Sequence, residues 1–171
     1  MAYKSIFPQQ PRIKIPFSRM EVILEVLSLA GLVVMALMII KAWAPLPATI
    51  PSHFNAAGQP DGYSGKAGLV ILPVIGLLLY LMLGVLRFLP HVYNYPRPIT
   101  EHNAERQYRL AINLLAWLKF EIICSFAYIT GITIQVALKQ SSGLGAGFMV
   151  AMLIAIFGTL GVYFYLAFQN R

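Results

Sequence analysis

The sequence predicts an all-α membrane protein: four transmembrane helices, both chain ends on the cytoplasmic side, and a small extracytoplasmic loop cap between the first two helices. Three observations carry this. Of the 171 residues, 58% are hydrophobic and only 11% charged, whereas a soluble domain carries about 25% charged residues. Met149 to Phe168 is a run without a single charge, and about 20 apolar residues are what one bilayer crossing needs. Lysine and arginine also divide unevenly among the segments that link the apolar runs, which orients them by the positive-inside rule.

The chain opens with a basic cytoplasmic arm, residues 1–17, which carries Lys4, Arg12 and Lys14 together with Pro8, Pro11 and Pro16. Residues 18–171 read as a single four-helix membrane domain. Ser18-Arg19-Met20-Glu21 has capping-box spacing: the serine hydroxyl accepts from the glutamate amide, and the glutamate carboxylate reaches back. The first helix is expected over about residues 19–44, with Trp43 as an interfacial anchor. Ala42-Trp43-Ala44 resembles a signal-peptide cleavage site, but the apolar run before it exceeds the roughly 7–15 residues of a secretory h-region. Lys41 also interrupts it and Pro45 follows it. An uncleaved anchor is expected.

The outward loop, residues 45–64, separates this helix from a second over about 65–89, which Ser64 is expected to cap and Pro73 to kink. A connector rich in proline and tyrosine, 90–100, stays on the cytoplasmic side, because its three prolines forbid regular helix. Thr100 is the expected N-cap of a third helix over about 101–138. The Lys139–Gly143 turn makes a fourth helix, about 144–168, its antiparallel neighbour. Gly68, Gly76 and Gly84 form one stripe of the second helix. Gly143, Gly147, Ala151, Ala155 and Thr159 form a small-xxx-small series in the fourth. Both stripes are expected at close helix contacts. Lys4, Arg12, Lys14 and Arg19 in the arm, with Arg87, Arg97, Arg106 and Arg109 around the connector, outnumber Lys41, Lys66 and Lys139 on the other side. That imbalance places arm, connector and C-terminus in the cytoplasm.

The net charge of +7 does not point to nucleic acid, since no basic stripe with interleaved aromatics accompanies it. The cations lie at helix ends and in loops, where anionic lipid headgroups are their partners. The single cysteine, Cys124, lies in an apolar run and excludes both an internal disulfide and a Cys/His metal framework.

Leu46 to Lys66, LPATIPSHFNAAGQPDGYSGK, is the most polar stretch of the chain and holds the only aspartate. Asn55-Ala-Ala-Gly58 and Pro60-Asp61-Gly62 are turn chemistry, and Ile50 to Phe54 is a candidate extended segment, so a hairpin-like cap is expected. His53, Asn55, Asp61 and Lys66 are the candidates for binding a partner or for structuring the loop. One histidine and one aspartate fall short of the ligand set zinc takes, so no metal and no cofactor are assigned. No serine or cysteine stands in a nucleophile setting, so no catalytic residue is assigned and the protein is expected not to be an enzyme. Within the membrane, Glu25 and Lys119 are expected to pair between the first and third helices, because an unpaired charge in lipid is expensive.

Two long patterns, LPxxIPxHFNxxGxPDGYxxK over Leu46–Lys66 and NYPxxITxxNAERQY over Asn94–Tyr108, resemble a bacterial membrane domain of unknown function, number 1648, the domain type found at the N-terminus of Sdp-type immunity proteins. The resemblance implies a bacterial cytoplasmic membrane. It also implies a partner of the kind immunity proteins meet, a secreted peptide, some of those proteins also taking part in signalling. Two functions are expected of the chain: an immunity- or sensor-like protein whose outward loop binds a peptide or protein, as the resemblance implies, or an accessory subunit packed against a larger membrane complex through the glycine-rich faces of the second and fourth helices. In both the lipid bilayer is the surrounding medium.

Overall fold

Ser18 opens the first helix as the spacing predicts. Its hydroxyl accepts from the Glu21 amide at 3.1 Å, and the Glu21 carboxylate accepts from the Ser18 amide at 3.4 Å. The computed structural model describes residues 10–169, so Lys4 and Pro8 of the arm and Arg171 lie outside the described residues. From Ser18 the chain runs through α1 (Arg19–Ala42), a hairpin of β1 (Thr49–Phe54) and β2 (Pro60–Gly65), then α2 (Ile71–Leu86), α3 (Ala104–Ala137) and α4 (Ala146–Gln169). Among the described residues four helical stretches are long and apolar enough to cross a membrane: Arg19–Ala42, Lys66–Leu86, Ala104–Ala137 and Ala146–Gln169. The protein is mostly helical, with the loop between the first two helices folded as a two-stranded antiparallel sheet.

Several boundaries differ from the sequence expectation, each for a local reason. Ser64 does not cap the second helix, because it is still in β2, opposite Ile50. A 3-10 turn, Lys66–Val70, follows the strand, and regular helix begins only at Ile71. Pro73 therefore sits in the first turn of α2, where its missing N–H removes no helical bond; it opens the helix and does not interrupt it. Thr100 and Asn103 bond reciprocally, Thr100 N to Asn103 Oδ1 at 2.8 Å and Asn103 N to Thr100 Oγ1 at 3.3 Å. That closed turn delays α3 to Ala104. The fourth helix starts at Ala146, which leaves Gly143 in the preceding turn.

α3 is the central element. At about 1.5 Å per residue its 34 residues span about 50 Å, well beyond a hydrocarbon core of about 30 Å. Its cytoplasm-facing or lumen-facing turns must therefore stand clear of the hydrocarbon. α1, α2 and α4 all pack on α3. α1 turns Leu24, Ser28, Met35 and Ile39 inward, a helical spacing. Gly31 permits its close approach, since a Cβ there would lie 2.8 Å from Ile123. One end of the bundle gathers residues 10–17, the connector, the start of α3 and the end of α4: Tyr108 OH donates to Pro11 O at 2.8 Å, and Arg97 donates to Phe168 O at 3.0 Å. Its core is Ile15, Ala104, Tyr108 and Ile112. The opposite end carries the hairpin and the turn before α4, over a core of Ile39, Leu46, Ile50, Leu69 and Ile134.

Candidate functional site

The hairpin is built by its turn residues. Asn55 Oδ1 accepts from the amides of Ala57 and Gln59 at 2.9 and 3.0 Å, while Gly58 N donates to Asn55 O at 2.8 Å. Gly58 adopts φ 76°, a left-handed conformation that glycine takes without penalty. Asn55 thus has a complete structural role. Across the strands His53 faces Gly62, and a Cβ on residue 62 would come within 2.9 Å of the histidine Cβ. That clearance lets the His53 ring reach the neighbouring aspartate: Nδ1 donates to Asp61 Oδ1 at 2.5 Å. The pair is on the surface, the two side chains 70% and 44% exposed. Tyr63, a residue the sequence reading passed over, stands exposed on the same strand.

The hairpin is also anchored at both ends. Lys66 N donates to Ala48 O at 3.0 Å. The Lys66 ammonium lies 5.0 Å from the Trp43 ring centroid and donates to Trp43 O at 3.5 Å, so this candidate closes the hairpin base onto the end of α1. At the tip, Leu144 N donates to Gly58 O at 2.8 Å. Gly143 makes that docking possible: a Cβ there would stand 2.1 Å from the Gly58 carbonyl oxygen.

Of the other glycines singled out from the sequence, Gly76 faces Leu32, Met35 and Phe126, the crossing of α1, α2 and α3. Gly68 faces Ser64 at the end of β2 and takes no part in a helix crossing. A Cβ on Gly84 or Gly147 would meet nothing within 4 Å, and Ala151 and Ala155 are exposed. The first part of the α4 stripe therefore makes no close helix contact within the chain, whereas Thr159 at its far end donates to Glu121 of α3 at 2.5 Å.

Among the described residues two ion pairs join different helical segments towards the other end of the molecule, beside the Glu105–Arg109 pair along α3 at 3.1 Å. Lys119, almost fully buried, donates to Glu25 of α1, with its ammonium 4.8 Å above the Tyr80 ring. The second pair escaped the sequence reading. Arg87 Nε donates to Glu21 Oε1 at 2.6 Å and Nη2 to Oε2 at 3.3 Å. Nη2 also donates to Ile15 O at 3.0 Å, and the guanidinium stacks 3.8 Å from the Phe17 centroid. Glu21 thus closes a capping box and pairs with a cation 66 residues away. Phe88 also lies beside the guanidinium, its ring centroid 5.3 Å away, and no local sequence signal joins these residues. In the connector, Tyr93 OH donates to Leu86 O at 2.5 Å and Tyr95 OH to Pro90 O at 2.9 Å. Burial pushes the Tyr93 hydroxyl up to about 12 against the opposing pull of the Arg87 charge, and burial likewise raises that of Tyr95.

Residues 30–77 match the family model described as Domain of unknown function (DUF1648). The match spans the later part of α1, the whole hairpin and the first turns of α2. It ends before the second pattern, Asn94–Tyr108. No curated protein and no solved structure matches the chain.

Proposed function

We propose that this chain, which carries domain of unknown function 1648 over residues 30–77, is a non-catalytic multi-pass membrane protein of a bacterial cytoplasmic membrane that presents its hairpin outward to bind a peptide or protein. The observation that carries the reading is the mounting of the hairpin. Its base and tip are fixed to Trp43 and Leu144, yet His53, Asp61 and Tyr63 remain exposed. A rigid mount with exposed aromatic and charged groups lowers the ordering cost of association. The arginine-rich end is the cytoplasmic one by the positive-inside rule, which turns the hairpin outward. α1 is retained as an anchor, because Glu21 and Glu25 supply the carboxylates for Arg87 and Lys119. The bilayer needs no separate argument: four apolar helices of spanning length imply it.

A deletion strain challenged with the peptides secreted by its own culture tests this reading. Sensitivity that is reversed by the wild-type chain, and not by a chain with His53→Ala and Tyr63→Ala, supports it. A deletion strain as resistant as its parent contradicts it. The second reading, an accessory subunit of a larger membrane complex, is favoured by one observation: α4 is the least covered of the four spans, with Tyr163 and Ala167 its buried residues. Purification in mild detergent separates the two, since a subunit keeps its stoichiometric partners and a lone receptor does not.

A further inference from the structure

Between α3 and the poorly covered α4 lies an open cavity of about 500 Å³. Its α3 wall presents Asn113, Trp117 and Glu121, four residues apart in turn and so on one helical stripe. Its α4 wall presents Ala155, Gly158 and Thr159, continued by Val162. Apart from that stripe and Thr159 the lining is largely apolar. Glu121 is the one ionised-type side chain among the lining residues, and no lysine, arginine or histidine lines the cavity.

Glu121 is only half satisfied. Its Oε1 accepts from Thr159 Oγ1 at 2.5 Å. Its Oε2 is buried and has no hydrogen-bond partner among the described residues. The cation nearest in sequence, Lys119, belongs to another face of α3 and is engaged by Glu25. A carboxyl group set in an apolar part of a membrane helix is costly unless paired, and whether charged or protonated the second oxygen needs a partner. The partner must come from outside the helix pair. A positively charged donor gives the strongest bond to a carboxylate oxygen. Trp117, 37% exposed, lines the cavity one helical turn before it and carries the ring type that attracts ammonium groups best. The remaining wall suits an apolar body, and the volume lies within the range of about 300–1,000 Å³ typical of small-molecule sites.

We propose that the α3–α4 cavity binds a hydrophobic organic cation, its ammonium at the Glu121 carboxylate and its apolar chain along Leu114 and Val162. This site is separate from the hairpin and does not depend on the hairpin's role.

Dodecylamine, with dodecanol as its uncharged counterpart, is the probe. The full chain is placed in phosphatidylcholine nanodiscs with Trp43→Phe, which leaves Trp117 as its only tryptophan, and Trp117 fluorescence is followed at neutral pH. Dodecylamine is expected to saturate the signal at about one per chain and to bind about tenfold or more tighter than dodecanol, the scale of one charge-assisted bond. Glu121→Gln should bring the amine down to the affinity of the alcohol. Glu101→Gln, at an exposed position outside the cavity, should leave the preference for the amine unchanged, and the comparison of amine with alcohol on the chain with Glu121 intact carries the test if the glutamine variant fails to fold. Equal affinities for amine and alcohol, unsaturable partitioning into the bilayer, an unchanged affinity in Glu121→Gln, or loss of the preference in Glu101→Gln would each overturn the proposal.

Discussion

Arg87→Leu removes the centre of the buried network at the connector end, and its cost follows from the partners left behind. Arg87 donates twice to Glu21 and once to Ile15 O. Leucine preserves apolar bulk against Phe17 and Phe88 but supplies no donor. Glu21, 2% exposed, then keeps only the 3.4 Å bond from the Ser18 amide, and Ile15 O loses the guanidinium. Removing one partner of a buried ion pair costs about 3–5 kcal/mol, whereas replacing both by apolar residues is often close to neutral. The double variant Glu21→Leu/Arg87→Leu also loses half of the capping box, about 1 kcal/mol. It should still be about 2–3 kcal/mol more stable than Arg87→Leu alone, a coupling within the range seen for contacting residues. The assay is reversible unfolding in mixed micelles, a denaturing detergent titrated against helix circular dichroism. A single variant that loses less than about 1 kcal/mol, or a double variant equal to the sum of two singles, would refute the reasoning.

The remaining predictions concern other points of the structure. Gly143→Ala should undock the hairpin tip, because the new Cβ would meet the Gly58 carbonyl at 2.1 Å; faster amide exchange at Leu144 is the readout. Gly147→Ala, which meets nothing within 4 Å, should instead stabilise α4 by about 0.5–1 kcal/mol, and a destabilisation would mean the site is covered. Asn55→Ala removes two bonds to the turn and should cost about 1–2 kcal/mol of local stability, seen as exchange confined to the hairpin. The raised Tyr93 hydroxyl favours the protonated folded state. Its contribution is complete below the ordinary value of 10 and should be lost as pH rises from there through about 12. Tyr93→Phe should flatten that alkaline slope, and an unchanged slope would contradict the assignment.

Much of this architecture was legible in the residues, and the parts that were not share a cause. The apolar runs marked the spans, and the Ser18–Glu21 spacing located the start of α1, because both signals are local. Asn55, Gly58 and Asp61 announced a turn for the same reason. The strands reached further than expected, to Gly65, because pairing with β1 held residues that also suited a helix start. Pro73 was ambiguous for a related reason: a proline in a first helical turn and one in the middle of a helix look alike until the preceding strand is placed. Arg87 and Glu21 are 66 residues apart, so no periodicity could join them. Glu25 and Lys119 lie 94 residues apart, and only the cost of lone charges in lipid suggested the pairing. The small-residue series of α4 had the spacing of a packed face, but spacing cannot say whether a neighbour exists. Gly143 turned out to serve the hairpin, and Gly147 faces open space.

The hairpin can meet an external partner only if it lies outside the membrane, and thiol accessibility on intact cells tests that most directly. With Cys124→Ser as background, Tyr63→Cys places a thiol on the exposed face of β2, and His102→Cys places one at the connector end. A membrane-impermeant thiol reagent is predicted to label residue 63 on intact cells and residue 102 only after permeabilisation. Labelling of residue 102 alone on intact cells would invert the topology and contradict an outward-facing hairpin.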